Sequence, residues 1–159
     1  MEKKQRTLNN KGFSLIELIV VIAIMAILVG ALAPQYMKFV ERSRKSTDGQ
    51  NVAAIKSALE VYAADPMVAA ADALETGTVT ITTTEAEVKT TNATGNGNKA
   101  LAAAGISNLV LKSTKWPTAT DGTYCTSYSL TYTVSPNGTV SFEESGIATT
   151  HSILNGKYN

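Results

Sequence analysis

Sulfur and imidazole are scarce in this chain, which has one cysteine, Cys125, and one histidine, His151, in 159 residues. A lone cysteine cannot close a disulfide within the chain, so an exported domain must be held by packing alone. Cys125 is read as a small buried thiol, with pairing between chains as the alternative. One residue of each kind builds neither a zinc site with the usual ligands nor a Cys-His nucleophile pair. No metal, no cofactor and no catalytic residue are therefore expected. Charge of one sign is lacking as well, since the formal net charge is +1. Lys3, Lys4, Arg6 and Lys11 against Glu2 put three net positives ahead of Phe13, so a chain beginning at Phe13 carries −2. That balance does not suit a nucleic-acid binder.

What the chain does have is one long apolar run. Phe13 to Ala33 reads FSLIELIVVIAIMAILVGALA, interrupted only by Ser14 and Glu17, whereas the remainder is rich in Thr, Ala, Asn and Gly. As a helix the run spans roughly 30 Å, the thickness of a bilayer's hydrocarbon layer. An ordinary secretory signal has a shorter apolar region and a small-x-small cleavage site. Ala31-Leu32-Ala33 has that form, but Pro34 follows directly and is expected to obstruct cleavage. Charge leaves the orientation close to a tie, because Lys38, Arg42, Arg44 and Lys45 after the run match the basic residues before it, and the amino group of Met1 tips it toward a cytoplasmic N-terminus.

Glu17 needs a reason to be in the run, because a carboxylate inside a membrane segment costs about 3 kcal/mol on insertion scales. The plainer explanation is that it lies near enough to the end of the segment to reach head groups, or is protonated there. The string Lys11-Gly12-Phe13-Ser14-Leu15-Ile16-Glu17-Leu18 offers another. It resembles the processing signature of type IV prepilins, in which a short basic leader ends in glycine, phenylalanine follows, and glutamate is the fifth residue after the cut. The resemblance is specific from Met1 to about Ser46 and architectural beyond. It implies cleavage between Gly12 and Phe13 by a prepilin peptidase, N-methylation of Phe13, and polymerisation through the apolar helix. It also implies that Glu17 neutralises the amino terminus at Phe13 of a neighbouring subunit, two buried charges tolerable only as a pair. Partial positive charge at the helix N-terminus favours Glu17 there as well.

Gly30 and Pro34 predict a kink or a melted stretch at the end of the run. Beyond it the helix continues, polar nearly all round from Lys38 to Gly49 and therefore expected to be solvated. Val52, Ile55, Leu59 and Tyr62 then form an apolar stripe suited to covering a sheet. Asp65-Pro66 ends the helix, and Asp65 is placed to cap a second helix over Pro66 to Glu75, stopped by Gly77. Val79 and Ile81 mark a strand, Leu109 to Lys112 another, and Asn98-Lys99-Ala100 opens a brief helix closed by Gly105. Thr90 to Asn98 reads as a loop. Tyr128, Leu130, Tyr132 and Val134 alternate with polar residues and are followed by Val140 and Phe142. A three-residue turn, Pro136-Asn137-Gly138, puts Val134 and Val140 on one face, with Gly138 left-handed.

The expected fold is α+β: a long N-terminal helix, membrane-spanning in its first half and amphipathic in its second, packed on a small antiparallel sheet. The divisions are a leader 1–12, an assembly segment 13–33, an amphipathic segment 34–64 and a head 65–159. Gly95-Asn96-Gly97 before Lys99 lacks the spacing of a phosphate loop, and adjacent Glu143 and Glu144 point to opposite strand faces. Asn92-Ala-Thr94 and Asn137-Gly-Thr139 match a glycosylation pattern but read as plain loops.

The resemblance implies a structural subunit of a surface filament serving adhesion, motility, DNA uptake or biofilm formation. Its partners would be copies of itself, the prepilin peptidase, an assembly platform with separate ATPases, minor pilins and the inner membrane before assembly. A type II secretion pseudopilin or minor pilin shares leader and helix. The C-terminal stretch Gly146 to Asn159 lacks the acidic residues of a pseudopilin calcium loop, and the single cysteine departs from the C-terminal disulfide of many Gram-negative pilins. A membrane-anchored enzyme or binding module is the reading from another class.

Overall fold

The computed structural model describes residues 12–84, 89–91, 95–106, 108–118, 123–148 and 150–157. Helix α1 runs from Leu15 to Ala64 and passes through Gly30 and Pro34 without a break in its helical assignment. By internal contacts the chain divides between Phe39 and Val40.

In the first unit the apolar run of α1 is exposed on every side, with a mean hydropathy of 3.0 over its most apolar stretch. This helix is long and apolar enough to cross a membrane.

In the second unit α1 turns one stripe toward a sheet. Strands β1 (Gly77–Thr82), β2 (Lys89–Thr91), β3 (Ser127–Val134) and β4 (Val140–Ser145) are antiparallel in the order β2-β1-β3-β4. Alternation decides the faces: Val79 and Ile81 of β1, with Tyr128, Leu130 and Tyr132 of β3, are buried beneath Val52, Ile55 and Leu59 of α1. The opposite face carries threonine, with Thr78 and Thr131 hydroxyls 3.2 Å apart. Tyr62 completes the stripe at the margin of the core, its hydroxyl donating to the Asp72 carbonyl at 3.2 Å. A second helix, α2 (Asn96–Ala103), closes the core with Ala100 and Leu101. The β3–β4 turn follows its sequence signature: Val134 faces Val140, the Ser135 N–H donates to the Thr139 carbonyl at 2.9 Å, and Gly138 has φ +82°.

Four sequence expectations are corrected. Pro66 to Glu75 forms only a single 3-10 turn, Ala70–Asp72, because its alanines offer no apolar stripe to bury. Asp65 instead accepts the Met67 N–H at 2.8 Å, and Gly77 opens β1 rather than stopping a helix. Leu109 to Lys112 is not a strand: Leu111 donates to the Thr82 carbonyl at 2.9 Å, but the next N–H groups turn to a side chain of α1. Thr90 and Thr91, read as loop, form β2, which three polar residues could not announce. Helix α2 begins at Asn96, after left-handed Gly95, rather than at Asn98. Asn92 to Thr94 lies outside the described residues.

Leu59 is fully buried, and Leu59→Ala is expected to cost about 2–5 kcal/mol through lost burial and the cavity left behind. Chemical unfolding of the detergent-solubilised chain, followed by the fluorescence of its one tryptophan, measures this. Burial also pushes the Tyr132 hydroxyl up to about 12, with the Glu75 charge adding to it, and pushes Tyr128 further, with Glu144 adding to it. Both folded values lie above the unfolded value, so this stability is intact below pH 10 and is lost as pH climbs toward 12. The slope is at most about 1.4 kcal/mol per pH unit for each tyrosine. Unfolding midpoints across that window should fall accordingly, and Tyr132→Phe should flatten the fall.

Candidate functional site

The first turn of α1 is built by the string Ser14-Leu15-Ile16-Glu17. Ser14 precedes the first helical residue, and the Glu17 carboxylate reaches back to accept the Ser14 N–H at 2.8 Å. This is the glutamate half of a capping box, satisfying one of the amide donors a helix start leaves open. The Ser14 carbonyl in turn accepts the Leu18 N–H at 3.2 Å. Phe13 is 92% exposed, and Phe13, Ile16, Val20 and Val21 form an apolar depression around the Glu17 carboxylate. Glu17 thus has a local partner that the residue pattern S-x-x-E would have announced. Gly12 and Phe13 lie directly before the cap, Lys11 lies outside the described residues, and Gly30 and Pro34 lie inside the helix further along.

A second constellation, in the unit that begins at Val40, was not anticipated. Asp48, placed by sequence in a solvated stretch, is 1% exposed. Its Oδ1 accepts the Lys112 N–H at 2.6 Å, and its Oδ2 accepts the Ser113 N–H at 3.0 Å and the Trp116 indole N–H at 2.9 Å. Glu41, seven residues before Asp48 and so on the same side of the helix, accepts the Ser113 hydroxyl, and Lys45 stacks 4.8 Å from the Trp116 ring centre. Uncharged donors therefore hold a buried carboxylate and tie residues 111–116 to the helix. The signal was present: Asp48 precedes Val52 by four and Ile55 by seven, so it continues the apolar stripe backward.

His151 sits edge-on to Trp116, with ring centres 6.5 Å apart, and partial burial together with Lys45 and Lys157 lowers its basicity. Cys125 is buried and unpaired, and burial pushes its thiol up. The C-terminal residues are tied down by Glu144, whose Oε2 accepts the Leu154 N–H at 3.1 Å and the Tyr128 hydroxyl at 3.3 Å. Glu143 is exposed on the other face. An open apolar groove of about 500 Å³ runs between α1 and α2, with polar atoms from Ser57, Tyr62 and Asp65. Among the described residues no three His, Cys, Asp or Glu side chains converge as metal ligands would.

With the capped helix start and the exposed apolar run in view, comparison with known proteins is informative. The model of the prokaryotic N-terminal methylation motif matches residues 7–33. The chain carries the prepilin N-methylation motif. Over 61 residues it is 41% identical to prepilin peptidase-dependent protein A of Clostridium perfringens (strain 13 / Type A), spanning 38% of this chain and 44% of that protein. Over 54 residues it is 39% identical to the type IV major pilin protein PilA of Myxococcus xanthus (strain DK1622), spanning 34% of this chain and 24% of that protein. The matches thus span less than half the length of either relative. No solved structure matches the chain. The prepilin motif ends at residue 33, so Asp48, Trp116 and Glu144 belong to the part of the chain that it does not describe.

Asp48→Ala is expected to cost about 3 kcal/mol or more, because it strands the Trp116 indole and two amide donors. Asp48→Asn should cost less, since it retains one acceptor oxygen. Urea unfolding read by Trp116 fluorescence ranks the two variants, and Ala no worse than Asn would contradict the assigned role.

Proposed function

We propose that the chain is the precursor of a type IV pilus subunit that is cut between Gly12 and Phe13, methylated at Phe13 and polymerised through α1. The match is to structural subunits rather than to enzymes. The single observation that carries the reading is the prepilin motif at the start of an apolar helix that the described residues of its own unit leave uncovered. Before assembly the apolar run anchors the subunit in the cytoplasmic membrane; afterwards it is buried among the same helices of other copies, and the head faces outward. Glu17 then has two duties. Its capping oxygen keeps the first turn closed on Ser14, and its charge pairs with the amino terminus at Phe13 of a neighbouring copy, since neither ion is tolerated alone in an apolar bundle. Gly30 and Pro34 supply the weak point at which the helix can yield under tension. Adhesion, motility, DNA uptake and biofilm formation are the roles such a filament serves.

Two substitutions separate the duties. Glu17→Gln keeps an acceptor for the Ser14 N–H and removes the charge, whereas Glu17→Val removes both. Both are expected to lower the yield of sheared surface filaments by roughly 100-fold, the cost of one uncompensated buried charge, with the protein still present in membranes. Mass spectrometry of filaments should give a mature N-terminus at methylated Phe13. Wild-type filament yield from Glu17→Gln would sink the charge-pairing role, and an intact Met1 would sink the processing.

A further inference from the structure

Two features of the unit that begins at Val40 lack a partner among the described residues. The first is the groove between α1 and α2, lined by Ala54, Ala58, Val61, Ala103, Ala104 and Ile106, in which Val61 is 71% exposed. At its rim stands Asp65, the first residue past α1. One oxygen of Asp65 accepts the Met67 N–H, which a neutral amide side chain would do as well. The charge of Asp65 has no such use. A helix C-terminus is the negative end of its dipole, and the last turn of α1 carries no base to offset an acid there. Among the described residues no cation pairs with Asp65.

The second feature is an uncovered aromatic ring near a lone cation. Residues 116–118 and 123–125 form a short antiparallel ribbon in which Pro117 pairs with Tyr124. The Thr118 N–H donates to the Thr123 carbonyl at 2.8 Å, and the Cys125 N–H to the Trp116 carbonyl at 2.7 Å. Alternation buries Trp116 and Cys125 and turns Tyr124 outward, 57% exposed. Lys115, two positions before Pro117, is exposed and has no carboxylate partner among the described residues. Trp116 is held at Asp48 of α1, whereas the groove runs from Ala54 to Asp65, about 9 to 25 Å further along the axis. The ring of one chain therefore cannot fill its own groove.

We propose that a second copy of this chain seats its Tyr124 in the groove between α1 and α2, with its Lys115 against Asp65. The tyrosine ring covers Val61 and the alanines, and its hydroxyl stays at the wet rim, where Ser57 also lies. The rim ion pair fixes the register of the contact and relieves the uncompensated acid at the end of α1. Ring and groove are different surfaces, so the contact is heterologous: each copy gives its ring to one neighbour and its groove to another. Contacts of that kind extend into a helical polymer wherever the rotation does not close into a ring. The contact rests on the filament reading proposed above and deepens it, joining the globular parts of neighbouring copies independently of the apolar run.

The full chain, produced in filament-bearing cells with photoreactive p-benzoylphenylalanine in place of Tyr124, tests it. Irradiated filaments are expected to yield dimers in which mass spectrometry joins position 124 to residues 54–65 or 100–106 of another copy. Charge gives an independent reading. Lys115→Asp and Asp65→Lys should each lower the yield of sheared filaments at least about tenfold, because like charges then face each other. The two together should restore most of the yield. Asp65→Asn keeps the acceptor for the Met67 N–H and should lower the yield by roughly threefold, the worth of one exposed ion pair. Urea unfolding followed by Trp116 fluorescence should match the wild type in Lys115→Asp and Asp65→Asn. A cross-link to other residues of the chain, or to a different protein, would overturn the contact. So would wild-type yield from Lys115→Asp, or a natively folded double reversal that rescues nothing. In each of those outcomes, filaments carrying methylated Phe13 leave the polymer reading standing, whereas a wild-type chain that forms no filament refutes both.

Discussion

The apolar side chains of the first half of α1 cannot stay in water, and no described residue of their own unit covers them. Ile16, Leu18, Ile19, Val20 and the residues after them are each about half exposed or more. At roughly 25 cal/mol for each Å² of apolar surface, a run of this length represents a driving force far larger than the net stability of a small domain. A non-aqueous environment of bilayer thickness matches the run in length and composition. The first turn is where this constraint meets polarity: amide donors at a helix start cost several kcal/mol when left open in hydrocarbon, and the Glu17 carboxylate closes one of them. A residue that looks anomalous on an apolar helix is thus already useful in the single subunit.

The second half of the same helix solves a different problem. Its stripe is only Val52, Ile55 and Leu59 wide, and it covers a four-stranded sheet that has no disulfide to brace it. Bracing comes from carboxylates instead. Asp48 gathers two amide N–H groups and the indole of Trp116, and Glu144 gathers the Leu154 amide and the Tyr128 hydroxyl. Each fastens an irregular segment to a regular one, where no backbone ladder is available. Gly146, with φ +96°, lets the chain leave β4 at a point where an added Cβ would stand only 2.9 Å from the Ser127 carbonyl oxygen. That turn sets the path of the C-terminal segment over the core.

Where the physics was local, the residues announced it. The period of apolar positions marked α1 and its stripe, strict alternation marked β3 and β4, and Pro136-Asn137-Gly138 marked the turn and its register. The capping box at Ser14 is legible too, as the pattern S-x-x-E. Where contacts joined distant segments, the residues were silent or misleading. Leu109 to Lys112 has the composition of a strand, yet the Lys112 and Ser113 amides belong to Asp48, more than sixty positions earlier. Met67 to Ala73 has helical propensity, but without a face to bury it forms one 3-10 turn.

The sequence alone therefore determined that this chain has a bilayer-length apolar helix that opens on a prepilin-type motif, and a small antiparallel sheet, because periodicity and short motifs depend only on neighbours along the chain. Only the tertiary structure decided that Asp48 is buried while Lys38 and Arg42 stay exposed, although all three lie in the same polar stretch. The physical reason is that a carboxylate's environment is set by which amide and indole donors folding brings to it, and those donors come from a segment that sequence proximity does not reveal.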